Sequence, residues 1–194
     1  MQLLSRDDLY SLEEYSDQRD EFRRKVIQHK KSRRLDLGEH LSLFFEDRLT
    51  MQYQIQEMLR AERIFESDAI QEELDAYNPL IPNGSNLKST MMIQYDDVNE
   101  RRAALQELVD IENHIWLRVE GFDKVSPIAD EDLPRTNEGK TSAVHFLRFE
   151  FTQAMVTALK SGAKLAAGVD HPAYTHATDE IPPAVVQSLT NDFD

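Results

Sequence analysis

The segment NPLIPNGSN, residues 78–86, separates two stretches of chain whose apolar residues repeat with different periods. Two prolines and a glycine among asparagine and serine cannot continue a helix or a central strand, so the segment reads as a loop. Upstream of it, apolar residues recur every three or four positions, the spacing of a helix face. Ser11 and Glu14 stand at capping-box spacing, with Leu12, Tyr15, Phe22 and Val26 on one stripe behind them, which predicts a helix over 11–33. Gly38 interrupts the pattern, and a second, long helix is predicted over 40–66. Asp68 and Gln71 are spaced to cap a third that ends near Tyr77.

Downstream, STMMIQY, HIWLRVEG and AVHFLRFEF are short and rich in β-branched, aromatic or alternating residues, as strands are, and AKLAAGV at 163–169 is a further candidate. Helices are expected over 99–110, from a Thr152 N-cap to Gly162, and in IPPAVVQSL behind a capping Asp179. The last residues, NDFD, are expected to fray. The predicted class is α+β in a single domain over 1–194. A helical half over about 1–78 packs on a mainly antiparallel sheet over about 87–175 with two or more further helices, followed by a tail over 176–194.

Charge and composition narrow the function classes. With 36 acidic against 22 basic residues the net charge is −14, which opposes nucleic acid as a partner because duplex binding needs a positive surface to release counterions. The absence of cysteine excludes disulfides, thiolate nucleophiles, zinc–thiolate sites and an iron–sulfur cluster held by this chain. Imidazole, carboxylate and phenol remain as metal ligands. No apolar run approaches the roughly 18 residues of a membrane span, and MQLLSRDDLYSLEE lacks the order of a secretory signal. A soluble, cytoplasmic protein without membrane partners is expected. RRKVIQHKKSRR, residues 23–34, holds seven Lys or Arg and one His; it reads as a solvated helix face, with docking of an acidic partner as the functional alternative.

The predicted long helix carries the candidate site. Its stripe of Leu41, Phe44, Met51, Ile55, Met58 and Phe65 is broken by Arg48 and Glu62, too far apart to neutralise each other at about 1.5 Å per residue. Charges in apolar surroundings cost several kcal/mol unless paired. The adjacent face adds Glu46, Tyr53, Glu57 and Arg60. On the strand KTSAVHFLRFEF, His145 shares a face with Leu147 and Phe149, as a metal ligand or general base, or as a hydrogen-bonded core histidine. His171 and His176 in HPAYTH match no strong metal spacing as a pair, and neither HExxH nor ExxH occurs. Two functional expectations follow. In one, Glu57, Glu62, His145 and His171 hold iron or another divalent ion, while Arg48, Arg60, Arg63 and Tyr53 hold a small anionic ligand. In the other, the arginines and the basic run make a non-catalytic adaptor, with the charges on the long helix purely structural.

LFFEDRLTMQYQIQEMLRAERIF, IQEELDAYNPLIPNGSNLKSTMMIQY, ADEDLPR, KTSAVHFLRFEF and GVDHPAY, taken in order, resemble a bacterial family known as domain of unknown function 3501, over about residues 1–175. The resemblance implies no established reaction and no accepted catalytic set. It implies genes often placed beside those of rubrerythrin-like and iron–sulfur oxidoreductase-like proteins, so redox proteins of those kinds are the expected partners and iron the expected metal. Asp130, Glu131, Asp132 and His171 are lesser candidates within the quoted motifs.

Overall fold

The computed structural model of the protein describes residues 2–137 and 139–194. Among them are six α-helices and two antiparallel sheets, an α+β fold. Helix α1, Leu12–Lys30, starts where the capping box predicts: Ser11 accepts from the Glu14 N–H while the Glu14 carboxylate accepts from the Ser11 N–H.

The predicted helix over 40–66 is two elements. After strand β1, Arg34–Asp36, residues Leu41–Glu46 form strand β2, and helix α2 covers Arg48–Glu62. In LSLFFE the alternation wins over the helical spacing: Leu41, Leu43 and Phe45 enter the main core, while Ser42, Phe44 and Glu46 lie on the other face. The break falls at Asp47, whose carboxylate accepts from the Thr50 N–H and whose own N–H is bonded by the Thr50 hydroxyl. Helix α3, Ser67–Tyr77, follows, starting from Glu66 with no side-chain cap; Gln71 instead bonds Asp75 within the helix.

The loop over 78–86 leads into β3, Asn86–Ile93, then α4, Val98–Glu107, β4, Ile115–Val119, and β5, Ile128–Ala129. Strand β6, Val144–Glu150, precedes α5, Gln153–Lys160, capped by Thr152 as predicted; β7, Leu165–His171, β8, Tyr174–Thr178, and α6, Pro183–Thr190, complete the fold. The larger sheet has the order β1-β2-β3-β6-β5 and the smaller β4-β7-β8, all neighbours antiparallel. Their inward faces share one apolar cluster, with Leu43, Leu87 and Phe149 from the first and Leu117, Ala167 and Val169 from the second. Helices α1 to α3 bury their stripes in two smaller clusters, one around Ile55, Leu59 and Leu74 and one around Tyr15, Phe22 and Val26. No described helix is long and apolar enough to cross a membrane.

The C-terminal end departs from expectation. Asp179 is fully exposed near Arg118 rather than capping α6, which begins at Pro182–Pro183 without a side-chain cap. The residues expected to fray are pinned: Phe193 packs edge-on against Phe151 at 5.2 Å, and Asp192 pairs with Arg33. Within the basic run Arg23, Arg24, Lys25 and Lys31 are exposed as expected, whereas Arg33 is only 2% exposed. Its guanidinium also reaches Asp47 at 3.4 Å and bonds the carbonyls of Phe45 (2.9 Å) and Glu46 (3.1 Å), and His29 shares Asp47 at 2.5 Å. For Asp47, burial opposes ionisation, but the Arg33 charge and the Thr50 N–H outweigh it and hold the carboxyl below its ordinary value. For Asp192, burial outweighs the attraction of Arg33, and the like charge of Asp47 adds to it, so the carboxyl is pushed up to about 6.

The sign of the pH effect follows from that rise. Between the ordinary aspartate value and about 6 the folded protein holds a proton that the unfolded chain has released, so the contribution of Asp192 is complete at lower pH and declines as pH rises through that window. At about 1.4 kcal/mol per pH unit, Asp192→Asn is expected to gain roughly 2–3 kcal/mol relative to wild type between pH 4 and pH 7. Urea unfolding of both proteins across that range checks this; a constant difference would contradict it.

Candidate metal centre

Strand β6 sets His145 on the inward face with Leu147 and Phe149, as its alternation requires, and the imidazole is completely buried. Its surroundings come from three places. Asp130 follows β5 in the left-handed backbone region (φ 50°), a conformation that aspartate tolerates better than most residues. Through it Asp130 turns its carboxylate back across the strand pair: Oδ1 accepts from the Phe146 N–H at 2.9 Å, and Oδ2 faces His145 Nδ1 at 2.6 Å. Thr141, on the approach to β6, places its hydroxyl 2.8 Å from His145 Nε2, with the Ser142 carbonyl 3.0 Å from the same nitrogen. Glu112 sits in the 3-10 turn Ile111–His114 that leads into β4; it is buried and lies 3.9 Å from Nε2.

Hydroxyls and an arginine complete the shell. Thr136 donates to Glu112 Oε1 at 2.5 Å and shares a 2.8 Å contact with Thr141, whose hydroxyl also lies 3.4 Å from Glu112 Oε2. Arg135 reaches Asp130 at 3.3 Å, binds Asp132 at 2.5 Å and lies over the Phe146 ring at 4.6 Å. Asp130 and Thr141, from the segment ahead of β6, thus share the polar surroundings of His145 with Glu112 and the Ser142 carbonyl. With the Ser142 carbonyl at Nε2 and a carboxylate at Nδ1, each ring nitrogen has a hydrogen-bond partner, and Glu112 lies beyond Nε2.

One oxygen each from Glu112 and Asp130 and one nitrogen of His145 lie within 4.8 Å of one another. Donors about 2.0–2.2 Å from a common ion stand at most about 4.4 Å apart, a separation close to the spread of this group. The sequence Asp130, His145, Thr141 also has the order of orienter, base and hydroxyl nucleophile. Thr141 is only 2% exposed and its hydroxyl is held by Glu112 and Thr136, so a substrate has no access to it.

The other predicted site residues lie elsewhere. Glu57 is taken by Arg19 through two bonds of 2.8 and 2.7 Å and by the Tyr15 hydroxyl at 2.6 Å, on the seam between α1 and α2. The Arg19 bond is the main reason its carboxyl titrates below its ordinary value, and burial followed by that same carboxylate raises Tyr15. Glu62 is exposed at the last position of α2. His171 is buried, with Nε2 on the Val109 carbonyl at 3.0 Å and Nδ1 accepting from the Ala173 N–H at 3.2 Å, a neutral tautomer held by backbone. None of these three joins the group around His145.

The proposed anion set is dispersed as well. Arg48 pairs with Asp8 at 2.5 Å and bonds the Gln2 carbonyl, while Arg60 is exposed and Arg63 is the exposed left-handed C-cap of α2. Tyr53 packs against Phe22 at 6.0 Å. Glu46 is buried on β2, where it accepts from Thr90 at 2.7 Å. Arg48 and Glu57 thus serve the seams with the N-terminal segment and α1 rather than the sheet. Of the acidic triplet Asp130, Glu131 and Asp132, only Asp130 reaches His145; Glu131 holds Arg148 and Asp132 holds Arg135. Glu112 and Thr141 carried no periodic or motif signal in the sequence.

No curated protein matches the chain. Among solved structures, the chain is similar to a crystal structure of a novel protein of unknown function from Burkholderia pseudomallei K96243, with 52% identity over 100% of both chains and a TM-score of 0.94. The sequence profile of the family described as protein of unknown function DUF3501 matches residues 3–193, and the chain belongs to that family.

Proposed function

We propose that the protein is a metal-binding protein that holds one divalent first-row ion through Glu112, Asp130 and His145. The observation that carries this reading is the convergence of two carboxylates and an imidazole from three separate chain segments in a buried site. An oxygen- and nitrogen-only donor set suits iron, manganese or zinc. The redox-linked gene neighbours implied by the family resemblance make iron the ion to test first. Threonines 136 and 141 and Arg135 are placed to orient the carboxylates, as outer groups around metal ligands do. Carboxylate and imidazole ligands bind a metal in their deprotonated forms, so retention of the ion is expected to weaken as pH falls.

The test is metal content. Protein purified without chelator, incubated anaerobically with excess ferrous or manganous ion and desalted, is expected to retain about one equivalent, and His145→Gln or Glu112→Gln less than about a tenth of that. Wild type that retains no ion under any of these conditions, or variants that retain as much as wild type, would overturn it. A second reading has its own support: both nitrogens of His145 already have partners, so the cluster is also suited to act as a charge clasp that fastens the 130–141 loop. That reading predicts metal-free protein in the same experiment.

A further inference from the structure

The outer face of the larger sheet, opposite the main core, carries Lys88 and Arg148 as cross-strand partners on β3 and β6, with Phe146 beside them. A groove of about 630 Å³ opens over these three residues. Tyr77, Pro79 and Leu80, at and after the end of α3, also line it, as do the carboxylates Asp75, Glu131 and Asp132. A second hollow of about 510 Å³ shares Lys88 and Arg148 and continues toward Leu3 and Asn86. Volumes of this size accommodate an organic molecule of ordinary ligand dimensions.

The charges in the groove are unequally committed. Arg148 binds Glu131 through two contacts of 2.7 Å and also pairs with Glu150, and Asp132 is held by Arg135. Asp75 accepts from Gln71. The half-buried Lys88 ammonium has no hydrogen-bond or ion-pair partner among the described residues. Burial, and then the neighbouring charge of Arg148, lower its pKa by more than the carboxylates of Glu131 and Glu150 raise it, so its charge is only partly compensated. A desolvated ammonium beside aromatic and aliphatic walls is complementary to a molecule with one anionic end and an apolar body.

We propose that this groove binds a small amphipathic carboxylic acid, with its carboxylate on Lys88 and its apolar body against Tyr77, Pro79, Leu80 and Phe146. The site shares no residue with the Glu112–Asp130–His145 cluster and does not depend on metal binding there.

Octanoate is the probe, followed by calorimetry and by displacement of the fluorescent anion 8-anilinonaphthalene-1-sulfonate from the full chain. Wild type is expected to bind octanoate saturably below about 1 mM, and Lys88→Met to bind it at least about tenfold more weakly with unchanged circular dichroism. Lys88→Arg, which restores the charge, is expected to recover affinity to within about threefold. Octanol, with the same body and no charge, is expected to compete at least about tenfold less well on the wild-type protein, a comparison that needs no variant to fold. The absence of saturable octanoate binding, equal affinity in Lys88→Met, or equal competition by octanol would each overturn the proposal.

Discussion

Arg33→Met is expected to lower the free energy of unfolding by about 3–5 kcal/mol, the cost of breaking a buried ion pair from one side. The guanidinium is nearly sealed from water and joins four parts of the chain: the end of α1, the β2 carbonyls of Phe45 and Glu46, the α2 cap Asp47, and the C-terminal Asp192. Methionine matches the stem but leaves the buried carboxyls of Asp47 and Asp192 without the guanidinium, with the His29 imidazole as the remaining partner of Asp47. Against a total stability of about 5–15 kcal/mol for a domain, this is a large fraction. Chemical denaturation at pH 7 measures it, and a loss below about 1 kcal/mol would show that the network contributes little.

His145→Leu is expected to have an effect of similar size for a related reason. The imidazole is fully buried and separates the carboxylates of Asp130 and Glu112, so leucine fills much of the volume but removes both ring nitrogens and strands the 2.6 Å partner oxygen of Asp130. Arg135 compensates Asp130 only partly, because it is shared with Asp132. The expected loss in chelator-treated protein is about 3–5 kcal/mol. A metal titration separates the two roles of His145: an ion at about a hundred times its dissociation constant is expected to stabilise wild type by about 2.7 kcal/mol and to leave His145→Leu unchanged. Equal stabilisation of both proteins would remove His145 from the ligand set.

Much of the fold was legible in local chemistry. Ser11 with Glu14 fixed the start of α1, Thr152 the start of α5, and the alternation around His145 its inward orientation. The misread segment, LSLFFE, contains both periods: Leu41 and Phe44 extend a helical stripe into Met51 and Ile55, while Leu41, Leu43 and Phe45 alternate. Pairing with β3 over six residues decided between them, a tertiary effect that no window of sequence contains. The cap signal at Asp47 and Thr50 lay inside the predicted helix and marked the true boundary.

The site was less legible because its partners are distant in sequence. The expectation that Arg48 and Glu62 each need a partner holds for Arg48, which pairs with Asp8, whereas Glu62 is exposed at the end of α2; Glu57, expected as a metal ligand, is taken by Arg19 on an element whose packing is set by the whole helical layer. Glu112 is an acid in a short turn, and only the packing of that turn against β5 and β7 brings it near His145. Asp130 was visible only as one of three consecutive acids, and its left-handed backbone, which aims the carboxylate inward, follows from the β5–β6 pairing.

The most direct measurement of the central claim is anomalous diffraction from crystals prepared with ferrous or manganous ion, recorded on both sides of the metal edge. A single anomalous peak enclosed by Glu112, Asp130 and His145 is the predicted result. Maps without such a peak, in which His145 still bridges Asp130 and the Ser142 carbonyl, would contradict it and leave the cluster as a clasp for the loop.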